Sequence, residues 1–143
     1  MSLQFCGVDL INSSNNPHIK FAVFDSIDLE STKKELHLLS QRIQKINIHF
    51  KKYGIYPNDN PFITIDIADN IEIIKLHMDI QKIFDKVSNK DDRGYFVPGI
   101  WNPDCQLTVS FEKAKLATAV NYLGKTVLPF NGKLERIGVI EFY

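Results

Sequence analysis

Cysteine is scarce in this sequence: Cys6 and Cys105 are the two among 143 residues. They fall in no metal-ligand spacing and are too few for a disulfide framework, so a reduced, cytoplasmic setting is the default expectation. Neither charge is in excess, because seventeen Lys and Arg balance seventeen Asp and Glu. No global field therefore draws in nucleic acid or a membrane surface, and any anion has to be held by local groups. No apolar run is long enough to cross a bilayer, and no signal peptide is expected at the Met1 end, where "MSL" also fits a vector remnant. Serine and cysteine nucleophile motifs, glycine-rich phosphate loops and zinc spacings are missing too, which leaves the commonest enzyme classes without support.

What remains is an ordinary globular pattern, long enough for one domain over 1–143 with a sizeable core. "HIKFAVF" at 18–24 is bulky and β-rich and predicts a buried strand. Asp28 is placed to cap a helix with Leu29, Leu36, Leu39, Ile43 and Ile46 at helical spacing. "NIHFKKYGIYP" predicts a strand ended by Gly54 and Pro57, and "NDNP" a turn into the short strand "FITIDI". Asn70 is placed to cap a second helix with Ile73, Ile74, His77, Ile80, Phe84 and Val87 along its apolar side. "SNKDDRG" is a polar loop, "QLTVSF" a strand, and "EKAKLATAVNYLG" a third helix closed by Gly124 as a C′ glycine. "VLPFNGKLE" and "RIGVIEFY" predict a last strand pair, with "FNGK" as a turn. The order β-α-β-β-α-β-α-β-β implies an α+β fold, helices outside antiparallel sheets. A strand-then-helix unit recurs at His18 and again near Gln106, which suggests two similar lobes.

"NPHIKFAVF", "KKYGIYP", "FITIDI" and "YFVPGIWNPDCQLTVSF", taken in order, resemble the two-histidine (2H) phosphoesterase superfamily. The resemblance covers about residues 15–143 and is nearest the 2′-5′ RNA ligase/cyclic phosphodiesterase branch. It implies two lobes around a central cleft, each carrying a His-x-Thr/Ser motif on a strand. It also implies hydrolysis of 2′,3′-cyclic phosphates without a metal or other cofactor. Two imidazoles suit the acid and base roles because their pKa, about 6.5, lies near working pH. The hydroxyls would hold phosphate oxygens.

The chain departs from that pattern in three ways. His18 is kept, but Lys20 stands where a hydroxyl is usual. The second motif has no histidine, and two registers are open: Asp104 with Gln106, or Gln106 with Thr108. The seventeen residues before His18 are expected to be too few for the usual first strand and helix. On a strand, side chains alternate, so Asp104, Gln106 and Thr108 share one face and Cys105, Leu107, Val109 and Phe111 the other. His18 and Lys20 likewise share a face opposite Ile19. The second strand therefore offers no imidazole in either register. An aspartate, ordinarily near a pKa of about 3.9, is a poor base and an ionised acid at neutral pH. Lys20 would either bind phosphate or pair with Asp104.

The resemblance thus names His18, Asp104 and Gln106 as catalytic candidates, with Lys20 and Thr108 as phosphate ligands. Tyr95 and Trp101 are candidates for stacking on a base, or for packing a lid. His49 is a further cleft candidate, Arg93 and Lys90 fit a solvated charge run, and His37 and His77 fit packing or surface roles. Three functions follow: a degenerate member that binds a nucleotide or RNA end with weak or no turnover; an active phosphodiesterase using His18 with Asp104 or Gln106; and a non-enzymatic interaction module. The short N-terminus leaves a sheet edge that "LQFCGVDL" at 3–10 only partly fills, which predicts a two-fold homodimer.

Overall fold

Two capping side chains start the long helices. In the computed structural model, which describes residues 18–88, 94–108, 110–125 and 128–140, Asp28 accepts from the backbone N–H and hydroxyl of Ser31 at 3.1 and 2.8 Å. These bonds hold its carboxyl below the usual carboxylate range and start α1, Leu29–Ser40. Thr32, Leu36 and Leu39 form its buried stripe. Asn70 accepts from Glu72 N and Ile73 N at 2.9 and 3.2 Å and starts α2, Ile71–Val87. Its buried side carries Ile73, Leu76, His77, Ile80, Gln81, Ile83 and Phe84. Ile74, expected on that side, is 37% exposed. Helix α1 stops at Ser40, so Ile43 lies beyond it and Ile46 opens the next strand.

The strands are β1 (Ile46–Tyr56), β2 (Phe62–Ile67), β3 (Asp104–Gln106) and β4 (Phe130–Leu134). They form one sheet in the order β3-β2-β1-β4. β1 and β2 are an antiparallel hairpin turning through the residues between Tyr56 and Phe62, with a bulge between Phe50 and Lys52. After β3, a 3-10 turn at Lys113–Lys115 leads into α3, Leu116–Leu123. Among the described residues the architecture is α+β, with an antiparallel four-stranded sheet and three α-helices.

Several expected elements take a different form. "HIKFAVF" makes one isolated bridge, Ile19 to Cys105, in place of a strand. Beyond it the Phe21 carbonyl is taken by Gln81 Nε2 at 3.1 Å, and the Phe24 ring lies 4.2 Å from Phe84, so the segment bonds to α2 instead. β3 ends at Gln106 because the next donor, Ile63 N–H, is accepted by the Thr108 hydroxyl at 2.9 Å. Gly124 does follow α3, but at φ −61°, in the right-handed region, so it is not a left-handed C′ glycine. "FNGK" runs inside β4, and residues 135–140 form no strand. The segment 3–10 and most of the "SNKDDRG" loop lie outside the described residues, as do Lys90, Arg93 and Val109.

By internal contact the chain divides into two compact units. The first holds residues 18–20, 49–68 and 103–131 among those described, and its core is Ile63, Phe111, Ala119 and Leu123, backed by Tyr53, Leu107, Leu116 and Tyr122. The second holds 21–48, 69–102 and 132–140. There α1 packs along α2, and Trp101 stacks on His77 with ring centroids 4.0 Å apart.

Asn70 also donates to the carbonyl of Asn47 at 2.8 Å. Replacing it with alanine removes both the cap and that tie. Asn70→Ala is expected to lower unfolding free energy by about 1–2 kcal/mol, read from urea denaturation with an unchanged native far-UV spectrum.

Candidate functional site

The pairing register of the first unit decides which side chains meet. Lys52 pairs with Asp66, Gly54 with Thr64 and Tyr56 with Phe62. On the other side of β2, Thr64 pairs with Gln106, Ile65 with Cys105 and Asp66 with Asp104. Directly paired residues share a face. One face therefore carries Tyr53, Ile63, Ile65 and Cys105, and Tyr53 and Ile63 belong to the core packed against α3. The opposite face carries Lys52, Gly54, Tyr56, Phe62, Thr64, Asp66, Asp104 and Gln106.

Lys20 joins this polar face, donating from Nζ to Gln106 Oε1 at 3.2 Å. The Ile19–Cys105 bridge explains why: residues flanking a bridged position lie on the other side of the pleat. By the same alternation His18, half-buried, falls on the side of Asp104 and Gln106. Gln106 in turn donates to the carbonyl of Thr108 at 2.6 Å, which fixes its amide. Thr64 donates to Asp66 Oδ1 at 3.1 Å, and Lys52 Nζ lies 3.7 Å from Asp66 Oδ2. Gly54 is required between them, since a side chain there would run into Thr64 Oγ1 and Asp66 Oδ1.

Asp104 is the strongly perturbed carboxyl on the polar face. Burial, then the charge of Asp66 directly across the strand pair, push its carboxyl up to about 6, while Lys20 pulls it back. Cys105, on the apolar face, has its thiol raised by burial and is a free, packed side chain. Thr108 is fully buried with its hydroxyl committed to Ile63 N–H. Of the two registers, Asp104 with Gln106 is the pair on the polar face.

Other candidates lie elsewhere. Tyr95 and Trp101 belong to the second unit. Trp101 is 7% exposed, with its ring against His77 and Phe21. Tyr95 is 45% exposed, and its hydroxyl exchanges hydrogen bonds with the Asn102 backbone at 3.1 and 3.2 Å. His77 is buried beside Gln81, and desolvation lowers its pKa. His49 Nδ1 lies 2.7 Å from Asn131 Oδ1, and exposed His37 lies 3.2 Å from Gln41 Nε2. Among the described residues, no group of three or more His, Cys, Asp or Glu is placed to hold a metal ion. None of the described helices is long and apolar enough to cross a membrane. Lys52, Thr64 and Asp66 were missed by motif reading, although the alternation of "FITIDI" already sets Thr64 and Asp66 apart from its isoleucines.

No model of a known protein family matches the chain, and no curated protein matches it either.

The raised carboxyl fixes the sign of a pH effect. A folded-state pKa above the unfolded value means that the native state holds the proton more tightly. That contribution is present below about pH 4 and is lost as pH rises through about 6. Asp104→Asn is therefore expected to match the wild type below pH 4 and exceed it in stability at pH 7.5. Denaturation midpoints at both pH values check this, and a difference that does not change with pH would show that the carboxyl is not tuned.

Proposed function

We propose that the chain is a degenerate phosphoesterase-like protein of the two-histidine type, binding a phosphate-bearing nucleotide or RNA end on the polar sheet face with weak or no turnover. The observation that carries this reading is the Lys20–Gln106 hydrogen bond, which brings together the altered positions of both motifs. An ammonium and an amide there bind oxyanions by charge and hydrogen bonding, but an amide transfers no proton. Opening a cyclic phosphate needs both an acid and a base, and His18 supplies one such group. Losing the other typically costs 10²–10⁴-fold in rate.

Charge decides when an anion is welcome. Lys20 and Lys52 are opposed by Asp66 and Asp104, so with both carboxyls ionised the face is balanced. Once Asp104 takes up its proton, near pH 6, the ammoniums prevail. A nucleoside 2′,3′-cyclic phosphate keeps a single negative charge over this range. It is expected to bind several-fold more tightly at pH 5.5 than at pH 7.5, and Asp104→Asn combined with His18→Ala should abolish the difference. Calorimetric titration at the two pH values tests this, and tighter binding at pH 7.5 would overturn the reading.

The same raised carboxyl favours a second reading, a phosphodiesterase working in mild acid with His18 and Asp104 as its proton-transfer pair. Cyclic-phosphate hydrolysis at pH 5.5–6 that is lost in both His18→Ala and Asp104→Asn would establish it over the first. Binding without turnover would leave the first in place.

A further inference from the structure

The polar face also carries an aromatic pair, from "KKYGIYP" and "FITIDI", to which neither His-x-Thr/Ser motif assigns a role. Tyr56 and Phe62 close the β1–β2 hairpin as directly paired residues, with ring centroids 4.2 Å apart and planes within 10°. They lie on the side opposite the core packed under α3, and Tyr56 is 37% exposed. We propose that this stacked pair is a nucleobase platform, so that the ligand of the polar face is a nucleotide unit and not a bare phosphate ester. This rests on the nucleotide-binding reading above and places the base subsite of that ligand.

The register supplies the geometry. Same-face positions recur about every 7 Å along a strand. The ring pair is therefore one step from the row Gly54–Thr64–Gln106, where Lys20 docks, and two steps from Lys52–Asp66–Asp104. A ribose bridges one such step between a phosphate and a base. Gly54 raises no side chain between the rings and the polar row. Stacking the two rings on each other pre-orders a flat apolar surface, so a base meets it at low entropic cost. Aromatic platforms accept bases through their π faces, with little regard to which base it is. The competing role is purely structural, a cross-strand pair that fastens the end of the hairpin. Leucine would fill that role in large part, whereas stacking needs a flat ring.

The test is calorimetric titration at pH 5.5 of the wild type, Tyr56→Phe, Tyr56→Leu and Lys20→Gln. The probes are adenosine 2′,3′-cyclic phosphate, ribose 5-phosphate and adenosine, with a four-nucleotide RNA carrying the same cyclic end. Tyr56→Leu is expected to weaken the cyclic nucleotide about tenfold and leave ribose 5-phosphate unchanged, while Tyr56→Phe keeps wild-type affinity. Tighter binding of the RNA than of the mononucleotide would support an RNA end as the source, and equal binding a free nucleotide. Should Tyr56→Leu fail to fold, Phe62→Leu provides the same comparison. Undiminished cyclic-nucleotide binding in the leucine variant overturns the proposal, as does equal weakening of both phosphate ligands. Adenosine binding lost in Tyr56→Leu but untouched by Lys20→Gln would keep the platform and sink the phosphate reading. No binding of any probe would sink both.

Discussion

Strand β2 is hydrogen-bonded on both sides, and its registers with β1 and β3 decide which side chains share a face. Ile63, Ile65 and Ile67 are buried, and Ile63 anchors the core beneath α3. With those isoleucines committed, the side-chain period of two turns Thr64 and Asp66 the other way. A slip of one residue would bury Asp66 under the helix and turn the isoleucines outward. The apolar face thus holds the polar face in place.

That constraint also sets the electrostatics. Pairing Asp66 opposite Asp104 forces two carboxyls together in a partly buried setting, an arrangement that costs stability when both are charged. Lys52 and the Thr64 hydroxyl meet Asp66, whereas Asp104 depends on the longer-range charge of Lys20. With that weaker support, the Asp104 carboxyl is pushed up to about 6. Gly54 belongs to the same constraint, because only a missing side chain lets Thr64 and Asp66 close over β1.

The capped helices were legible because their signals are local. Asp28 and Asn70 each bond to backbone N–H groups within three residues, and the apolar spacing behind them is helical. "FITIDI" matched β2 from end to end, since a period-two pattern between turns admits few alternatives. Segments whose partners are distant were not legible. "HIKFAVF" looks like a strand, yet its Phe21 carbonyl is claimed by Gln81, sixty residues away. "QLTVSF" is cut short by a hydroxyl bond to Ile63, and "FNGK" reads as a turn although it is strand. The site was half legible for the same reason. Alternation put Asp104 and Gln106 on one face and Lys20 with His18. The pairing that adds Asp66, Lys52 and Tyr56 depends on a register that no local pattern encodes.

Asp104 held on the polar face beside Asp66 and Lys20 differs from an aspartate in a solvated loop in how it titrates. Its side-chain carboxyl carbon, followed by ¹³C NMR from pH 3 to 8, measures this directly. The expected titration midpoint is near 6, moving down in Asp66→Asn and up in Lys20→Gln. A midpoint near that of an ordinary aspartate, about 4, and indifferent to both substitutions, would contradict it.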